Sequence, residues 1–520
     1  MAANELNVAV VGSGPAGLYT AEALVKQAAA LPDPVRVRVD VLDRLPTPYG
    51  LVRYGVAPDH KSIKSIAEYL RKVLESPDVR FIGGVHFGED VTRADLLGAY
   101  DAVVYATGAM RDRRLGIPGE DLPGSYAATD FVNWYCGHPD VGPDSFTLDA
   151  ESVAVIGVGN VAVDVARILA RDPADLHTTD VPQPVLERLM ASKIREVHMI
   201  GRRGPAYAKF TTKELRELGE LSGVEIVVPA SEADLDGFDG TGAGAELAQS
   251  DRRVRGNMVA IRKWVADADD GRTPAAGTLA ADGPATDARD GDGTPVHPRT
   301  LVMRFWLRPV EITGEDRVTG LTLERTRLDE NGAFQGTGEL ETLDVQLVLR
   351  SVGYQSVPLD GVPFDESHAV VPNDQGRVLG PDGQPLPGEY VAGWLKRGPT
   401  GVIGTNKSDA TETVRALLSD LLGEEAVDVP LPRPGLLRYP ANPAGGDGPA
   451  DGDGEASRRA ALEGVLARKG IRPVSYAEWL RVEAAETDLA LALGRGDRVK
   501  LHGRDALFAA CWPGELEGSD

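Results

Sequence analysis

Apolar positions along the chain fall into two patterns. Short runs such as Val8-Ala-Val-Val11, the stretch ending at Asp43, DAVVYATGA (101–109) and VHMIGRR (197–203) read as buried strands. Between them, apolar residues recur three and four apart, as helices require. This alternation predicts an α/β chain with parallel sheets. Two segments share one plan, NVAVVGSGPAGLYTAEALVKQ (7–27) and SVAVIGVGNVAVDVARILAR (152–171). Each is a strand, a glycine turn and a helix, so one nucleotide-binding unit is used twice.

The pattern changes over 231–300. Gly, Ala, Asp, Pro and Thr dominate, large apolar residues are scarce, and the segment reads as flexible insertions around a basic, helical island, DRRVRGNMVAIRKWV. Strands return at 301–312, 318–328 and 345–354. A loop, LPRPGLLRYPANPAGGDGPADGDGE, precedes a helical C-terminal segment around 456–495.

Composition narrows the chemistry. No apolar run approaches the roughly 20 residues of a bilayer span, and the first strand starts too early to leave room for a secretory leader. A cytoplasmic protein is expected. The two cysteines, Cys136 and Cys511, form no C-x-x-C, which excludes a dithiol centre and a cysteine-ligated cluster in this chain. The eight histidines lack metal-binding spacing, so no bound metal is expected. A net charge of −24 argues against nucleic acid as a partner.

The first glycine turn is Gly12-Ser-Gly14-Pro-Ala16-Gly17. Its glycines let a pyrophosphate approach the amides of the following helix, and Asp43 stands where an acid bonds the ribose hydroxyls of an adenosine. The second turn, Gly157-Val158-Gly159-Asn160-Val161-Ala162, is followed by a strand that ends in Arg202 and Arg203 instead. Two guanidinium groups suit a 2′-phosphate. The second site is therefore predicted to select NADP, and the first an unphosphorylated ribose. An Ala-Thr-Gly at 106–108, in register with both turns, points to FAD in the first. Downstream, GEYVAGWLKRGPTGVIGTNKSDATETV (388–414) leads a strand through Gly393-Trp394 into a helix whose N-terminus could stabilise charge on a reduced ring.

GSGPAGLYTAEAL, PYGLVRYGVAPDHKSIK, GVGNVAVDVARIL, GRRGPAYAKFTTKELRE and GWLKRGPTGVIGTNKSDA together resemble the adrenodoxin reductase type of ferredoxin–NADP(+) reductase. The resemblance runs from residue 7 to PVSYAEWLRVEAAE (473–486) and weakens over 231–300. It implies two Rossmann-like domains of the three-layer ββα flavoprotein kind, with the NADP domain inserted into a discontinuous FAD domain. On that reading residues 1–112 and 356–430 form the FAD domain, 113–355 the NADP domain, and 431–520 a linker and helical extension. Ala16, Asp43, Leu51, Val85, Trp394, Gly401, Val402 and Ile403 match FAD contacts. Val158 to Val161, Arg202, Arg203, Glu214 and Gly401 match NADP contacts, with Glu214 on the nicotinamide amide. Asp43 stands where the family more often has Glu.

The same resemblance pairs His60 with Asp164 across the domain interface, as a structural and proton-handling pair, and sets Trp394 near the flavin and nicotinamide. PYGLVRYGVAPDH would wrap the flavin and end at His60. The implied reaction moves a hydride from NADPH to FAD, then single electrons to a ferredoxin that feeds downstream enzymes such as monooxygenases. The ferredoxin would dock at basic residues, Arg216 and DRRVRGN being the matching positions, on a monomer. Two other functions stay open: a flavin reductase or oxidase with a small-molecule or quinone acceptor, and a non-catalytic NADP-binding subunit.

Overall fold

The computed structural model describes residues 5–233, 242–267, 299–329, 332–423 and 454–514. Two sheets organise it, the second wholly parallel and the first parallel except at one edge, where Asn373–Asp374 and Arg377–Leu379 pair antiparallel. In the first, strands Arg36–Asp43, Glu5–Val11, Ala102–Tyr105 and Pro385–Val391 lie side by side, with Val79–Gly83 at the other edge. Val8, Val10, Val39, Val41 and Val104 are fully buried in it, as near-continuous apolar strands covered on both faces should be. Pro385–Val391 comes from far along the chain yet pairs in parallel with Ala102–Tyr105, Glu389 opposite Val103. The first sheet is thus built from two distant pieces of sequence.

The second sheet holds Ser152–Ile156, Glu196–Gly201, Arg299–Phe305, Val224–Val227, Leu347–Arg350 and Ser125–Ala127. An antiparallel ribbon, Leu307–Thr313, Gly320–Leu328 and Phe334–Leu343, extends from its end. Where the chain passes between the sheets, outward at Arg111–Asp112 and back at Tyr354–Gln355, the two passages pair antiparallel.

The flexible reading of 231–300 needs correction where the structure describes it. Gly242–Ser250, read as a flexible insertion, is a helix, and the expected helical island is the helix Arg252–Asp267. In the second, Val254, Met258 and Ile261, at helical spacing, are buried, while Arg252, Arg255, Val259, Arg262 and Lys263 face out. An amphipathic stripe outweighs the polar composition around it. Residues 234–241 and 268–298 lie outside the described residues, as does most of the loop before the C-terminal helices. Those helices are Gly454–Arg468, Tyr476–Ala492 and Arg504–Cys511. Buried Arg53 bonds Glu486 through both terminal guanidinium nitrogens, tying the C-terminal part to the loop after the second strand. Among the described residues no helix is long and apolar enough to cross a membrane.

Candidate functional site

The two glycine turns are built alike, and the reason is steric. Gly12 has φ 112°, and a Cβ there would sit 2.5 Å from the Ala106 carbonyl oxygen. Gly157 has φ 143°, and a Cβ there would sit 2.2 Å from the Ser351 carbonyl oxygen. Gly12 N donates to Leu42 O at 2.8 Å and Gly157 N to Ile200 O at 2.9 Å. In each unit the strand that closes the turn thus touches its first glycine, and only glycine fits. Gly17 is equally constrained: its Cβ would meet the Gly12 carbonyl oxygen at 1.8 Å. The helices that follow, Pro15–Ala29 and Asn160–Ala170, begin at Gly14 and Gly159 with no side-chain cap. Their first amides remain free for an anion.

The strand ends differ as the sequence predicts. Asp43 closes its strand beside the first turn. Its Oδ2 accepts from Ser13 N at 2.9 Å and its Oδ1 from Leu45 N at 3.0 Å, while Val85 N donates to the Asp43 carbonyl at 2.9 Å. Arg202 is exposed and Arg203 half-buried beyond Gly201, at the matching place in the second unit.

The proline- and glycine-rich loop after Asp43 packs on the glycine turn itself. Tyr49 N donates to Ser13 O at 3.0 Å, and a Cβ on Gly50, whose φ is 47°, would come 2.9 Å from Gly14 Cα. Gly50 is thus needed for contact between two backbones. Leu51 begins the short helix Leu51–Tyr54 that follows. The loop ends at Asp59 and His60, which meet helices of the second unit. Arg167 Nε donates to Asp59 Oδ2 at 2.6 Å, and Arg171 pairs with the same carboxylate. Burial alone would raise the Asp59 carboxyl, but the two arginines outweigh it and hold it below the usual range.

His60 has other neighbours than the expected one. Its Nε2 lies 2.8 Å from Glu217 Oε2, 3.2 Å from Glu214 Oε2 and 3.8 Å from Asp164 Oδ1. Asp164 is held by Arg167, 2.9 Å away, one helical turn along. The structure therefore brings His60, Asp164 and Glu214 together but makes Glu217 the hydrogen-bond partner of the imidazole. Helix geometry explains this: Glu214 and Glu217 sit three apart on Thr212–Gly219 and share a face. Asn160 sets that helix, its Oδ1 accepting from Thr211 N at 2.8 Å while Thr211 Oγ1 accepts from Glu214 N at 3.3 Å. Burial pushes the Asp164 and Glu214 carboxyls up; Arg167 and His60 pull them down without cancelling it. His60, Asp164 and Glu214 offer ligand atoms within 4.8 Å of one another, a spacing a metal could use. Arg167, 3.7 Å from Glu214 as well, already supplies the counter-charge there and would repel a cation.

Gly393, at φ 74°, packs on the first helix so tightly that a Cβ would meet Ala16 Cβ at 2.4 Å. Trp394 follows, stacked on Tyr354 with centroids 5.5 Å apart, its Nε1 donating to Thr400 O at 3.2 Å. Gly401 and Val402 are exposed and Ile403 half-buried just before helix Thr405–Leu422, which again starts without a side-chain cap. The crossing strand, the first glycine helix and the Trp394 turn thus converge.

A family described as pyridine nucleotide-disulphide oxidoreductase matches residues 6–274. The NADPH-ferredoxin reductase FprA of Mycobacterium leprae is 45% identical over 421 residues, covering 80% of this chain and 84% of that protein. The mitochondrial NADPH:adrenodoxin oxidoreductase of Arabidopsis thaliana is 36% identical, covering 97% of this chain and 95% of that protein. The chain belongs to the pyridine nucleotide-disulphide oxidoreductase family, in its adrenodoxin reductase-type branch. A solved structure of Mycobacterium tuberculosis FprA in complex with NADPH superposes with a TM-score of 0.79 at 40% identity, covering 98% of this chain and 99% of that one.

The family implies adenine dinucleotides, and the residues fit them. Each cradle is lined by glycines that a Cβ would close and faces an uncapped helix N-terminus. Gly159 is open, with nothing within 4 Å of a Cβ, so a pyrophosphate can approach its backbone. Val158 and Val161 flank it: Val158 O accepts from Lys209 N at 2.9 Å, and Val161 packs partly buried against the core. Sequence reasoning missed Glu217, Arg167, Asp59 and Tyr354. The three-residue spacings 164/167 and 214/217 were visible; the loop they face was not.

Proposed function

We propose that this chain is an NADPH-dependent ferredoxin reductase, holding FAD at the first glycine turn and NADP(H) at the second. The observation that carries this is the pairing of two alike cradles with opposite charge at the next strand end, Asp43 in one and Arg202-Arg203 in the other. The names of the Mycobacterium leprae and Arabidopsis thaliana relatives support it. Bound together, the two groups supply hydride and one-electron chemistry, which needs no protein nucleophile.

The chain's own residues do the rest. Gly12, Gly14, Ala16 and Gly17 admit the FAD pyrophosphate to the helix amides, and Asp43 accepts from ribose hydroxyls. Leu51, Val85, Trp394 and Gly401 to Ile403 line the remainder of that site. Gly159 and Asn160 receive the second pyrophosphate, and Arg202 and Arg203 take the 2′-phosphate. The Trp394–Tyr354 stack covers the meeting point and keeps water out. His60 Nε2 lies in hydrogen-bond reach of Glu217, with Glu214 beside it, and Asp164, through Arg167, keeps that cluster in place. Glu214, its Oε2 buried without a hydrogen bond among the described residues, is the group left to receive the nicotinamide amide.

The acceptor is a separate ferredoxin. Arg252, Arg255, Arg262 and Lys263 line one exposed face of helix Arg252–Asp267, around exposed Val259, and Arg216 is exposed on helix Thr212–Gly219, which packs against it. Such a stripe steers an acidic partner despite the chain's net negative charge. The division into 1–112, 113–355, 356–430 and 431–520, a monomeric state and a cytoplasmic setting complete the reading. Initial rates with NADPH and either a ferredoxin of the same cell or a quinone test it. A saturable, salt-sensitive ferredoxin reaction is expected; reduction of the quinone without the ferredoxin would favour the small-molecule reading.

A further inference from the structure

The antiparallel ribbon belongs to neither nucleotide-binding sheet, yet it grips the two arginines. It leaves the second sheet at Trp306, whose φ is 60°. A bulky side chain adopts that conformation only where its neighbours enforce it. Here they do. Trp306 N donates to the Arg203 carbonyl at 3.4 Å, Thr326 N donates to the Trp306 carbonyl at 2.7 Å, and Thr326 Oγ1 donates to the Arg202 carbonyl at 2.8 Å. The backbone of the Arg202-Arg203 pair is therefore fastened by the ribbon.

The side chain is held too, and by an unusual partner. The Arg203 guanidinium lies 4.6 Å from the centroid of the Phe334 ring. That ring is fixed in turn by Tyr207, edge-on at 5.3 Å, and by Trp306 at 6.0 Å. Arg203 Nε is buried with no hydrogen-bond partner among the described residues. A carboxylate in place of the ring would occupy the guanidinium donors and repel a phosphate. An aromatic face attracts the cation, takes none of its donors, and carries no charge to oppose the ligand.

We propose that Phe334 is a positioning residue for nucleotide choice: it presents Arg203 with its donors unspent to the 2′-phosphate of NADPH. The proposal rests on the assignment of Arg202 and Arg203 to that phosphate.

The test compares Phe334→Ala, Phe334→Tyr, Arg203→Ala and the Phe334→Ala/Arg203→Ala double variant, with ferricyanide as electron acceptor and NADPH or NADH as donor. Phe334→Ala should raise the KM for NADPH about five- to twentyfold, the range a partly desolvated cation–π contact spans. Its kcat, and its KM for NADH, should stay within about twofold. Phe334→Tyr should restore the NADPH value, and Phe334→Ala should add nothing in the Arg203→Ala background. Equal losses with both nucleotides, no loss with either, or additive effects would overturn the role of Phe334. An Arg203→Ala variant with unchanged preference for NADPH sinks the phosphate assignment and this proposal together. A selective loss in Arg203→Ala alone sinks only the proposal. If Phe334→Ala fails to fold, Phe334→Leu keeps the volume without the ring and is read the same way.

Discussion

His60 Nε2 and Glu217 Oε2 lie 2.8 Å apart, one on the loop that follows the first sheet's second strand and the other on a helix of the second unit. With Asp59 between Arg167 and Arg171, that contact makes a charged seam joining the two nucleotide-binding units. The seam mixes carboxylates that are content as anions, such as Asp59, with others that burial disfavours.

Glu214 is of the second kind, its carboxyl pushed up by burial. Folded Glu214 therefore holds its proton more tightly than it would in the unfolded chain. Between those two pKa values the folded state binds more protons, so stability falls as pH rises. Glu214→Gln removes that penalty. The variant should melt about 1–3 °C above the parent near pH 7.5, and the gap should close as pH falls toward the ordinary glutamate value of about 4.3. A variant that melts lower at neutral pH would show that the cluster stabilises the anion.

Replacing Arg202 and Arg203 together by alanine should raise the KM for NADPH at least about tenfold while leaving NADH within about twofold, since charge-assisted bonds to the 2′-phosphate are lost from one nucleotide only. Steady-state rates with both donors decide it. Equal loss would place the arginines elsewhere than at the phosphate.

Gly393→Ala puts a Cβ against Ala16 Cβ at a residue whose φ is 74°. The strain should spread the Trp394 turn from the first glycine helix, and the protein should purify folded with a lower ratio of flavin to protein absorbance. Gly98→Ala is the control. Its Cβ meets nothing within 4 Å, so it should keep the parent's flavin ratio and gain up to about 1 kcal/mol.

Glu486→Ala leaves the Arg53 guanidinium buried without its counter-ion, and Leu501 N without an acceptor. Breaking such a pair costs about 3–5 kcal/mol, whereas replacing both members by apolar residues costs far less. Urea midpoints should therefore drop steeply for Glu486→Ala and recover most of the way for Arg53→Met with Glu486→Leu. Equal midpoints for the two would contradict a buried pair.

Much of the fold was legible because glycine sterics are local. Gly17 is forced by the Gly12 carbonyl within one strand–turn–helix unit, and the same spacing at 157–162 announces the second unit. The closing strands at 102–105 and 347–350 could be aligned for the same reason. What stayed hidden depends on distant partners. Nothing near Arg53 points to Glu486, 433 residues away. The His60 neighbourhood was half visible: Asp164 was expected there and Glu214 only at the nicotinamide, and choosing Glu217 as the bonding partner requires knowing how the helix turns toward the loop. The basic helix 252–267 was legible as a helical island, its Val254, Met258 and Ile261 carrying the period of a buried face, whereas the helix at 242–250 was masked by its Gly- and Ala-rich composition.

The central claim is that one polypeptide holds a resident flavin and an exchangeable phosphorylated nicotinamide together. Anaerobic titration of the purified protein with NADPH, followed in the visible flavin band, tests it most directly. The account predicts yellow protein that bleaches with about one equivalent of NADPH per chain and regains colour when oxidised ferredoxin is added. Protein that remains colourless after incubation with FAD, or a yellow protein that NADPH does not bleach, would contradict it.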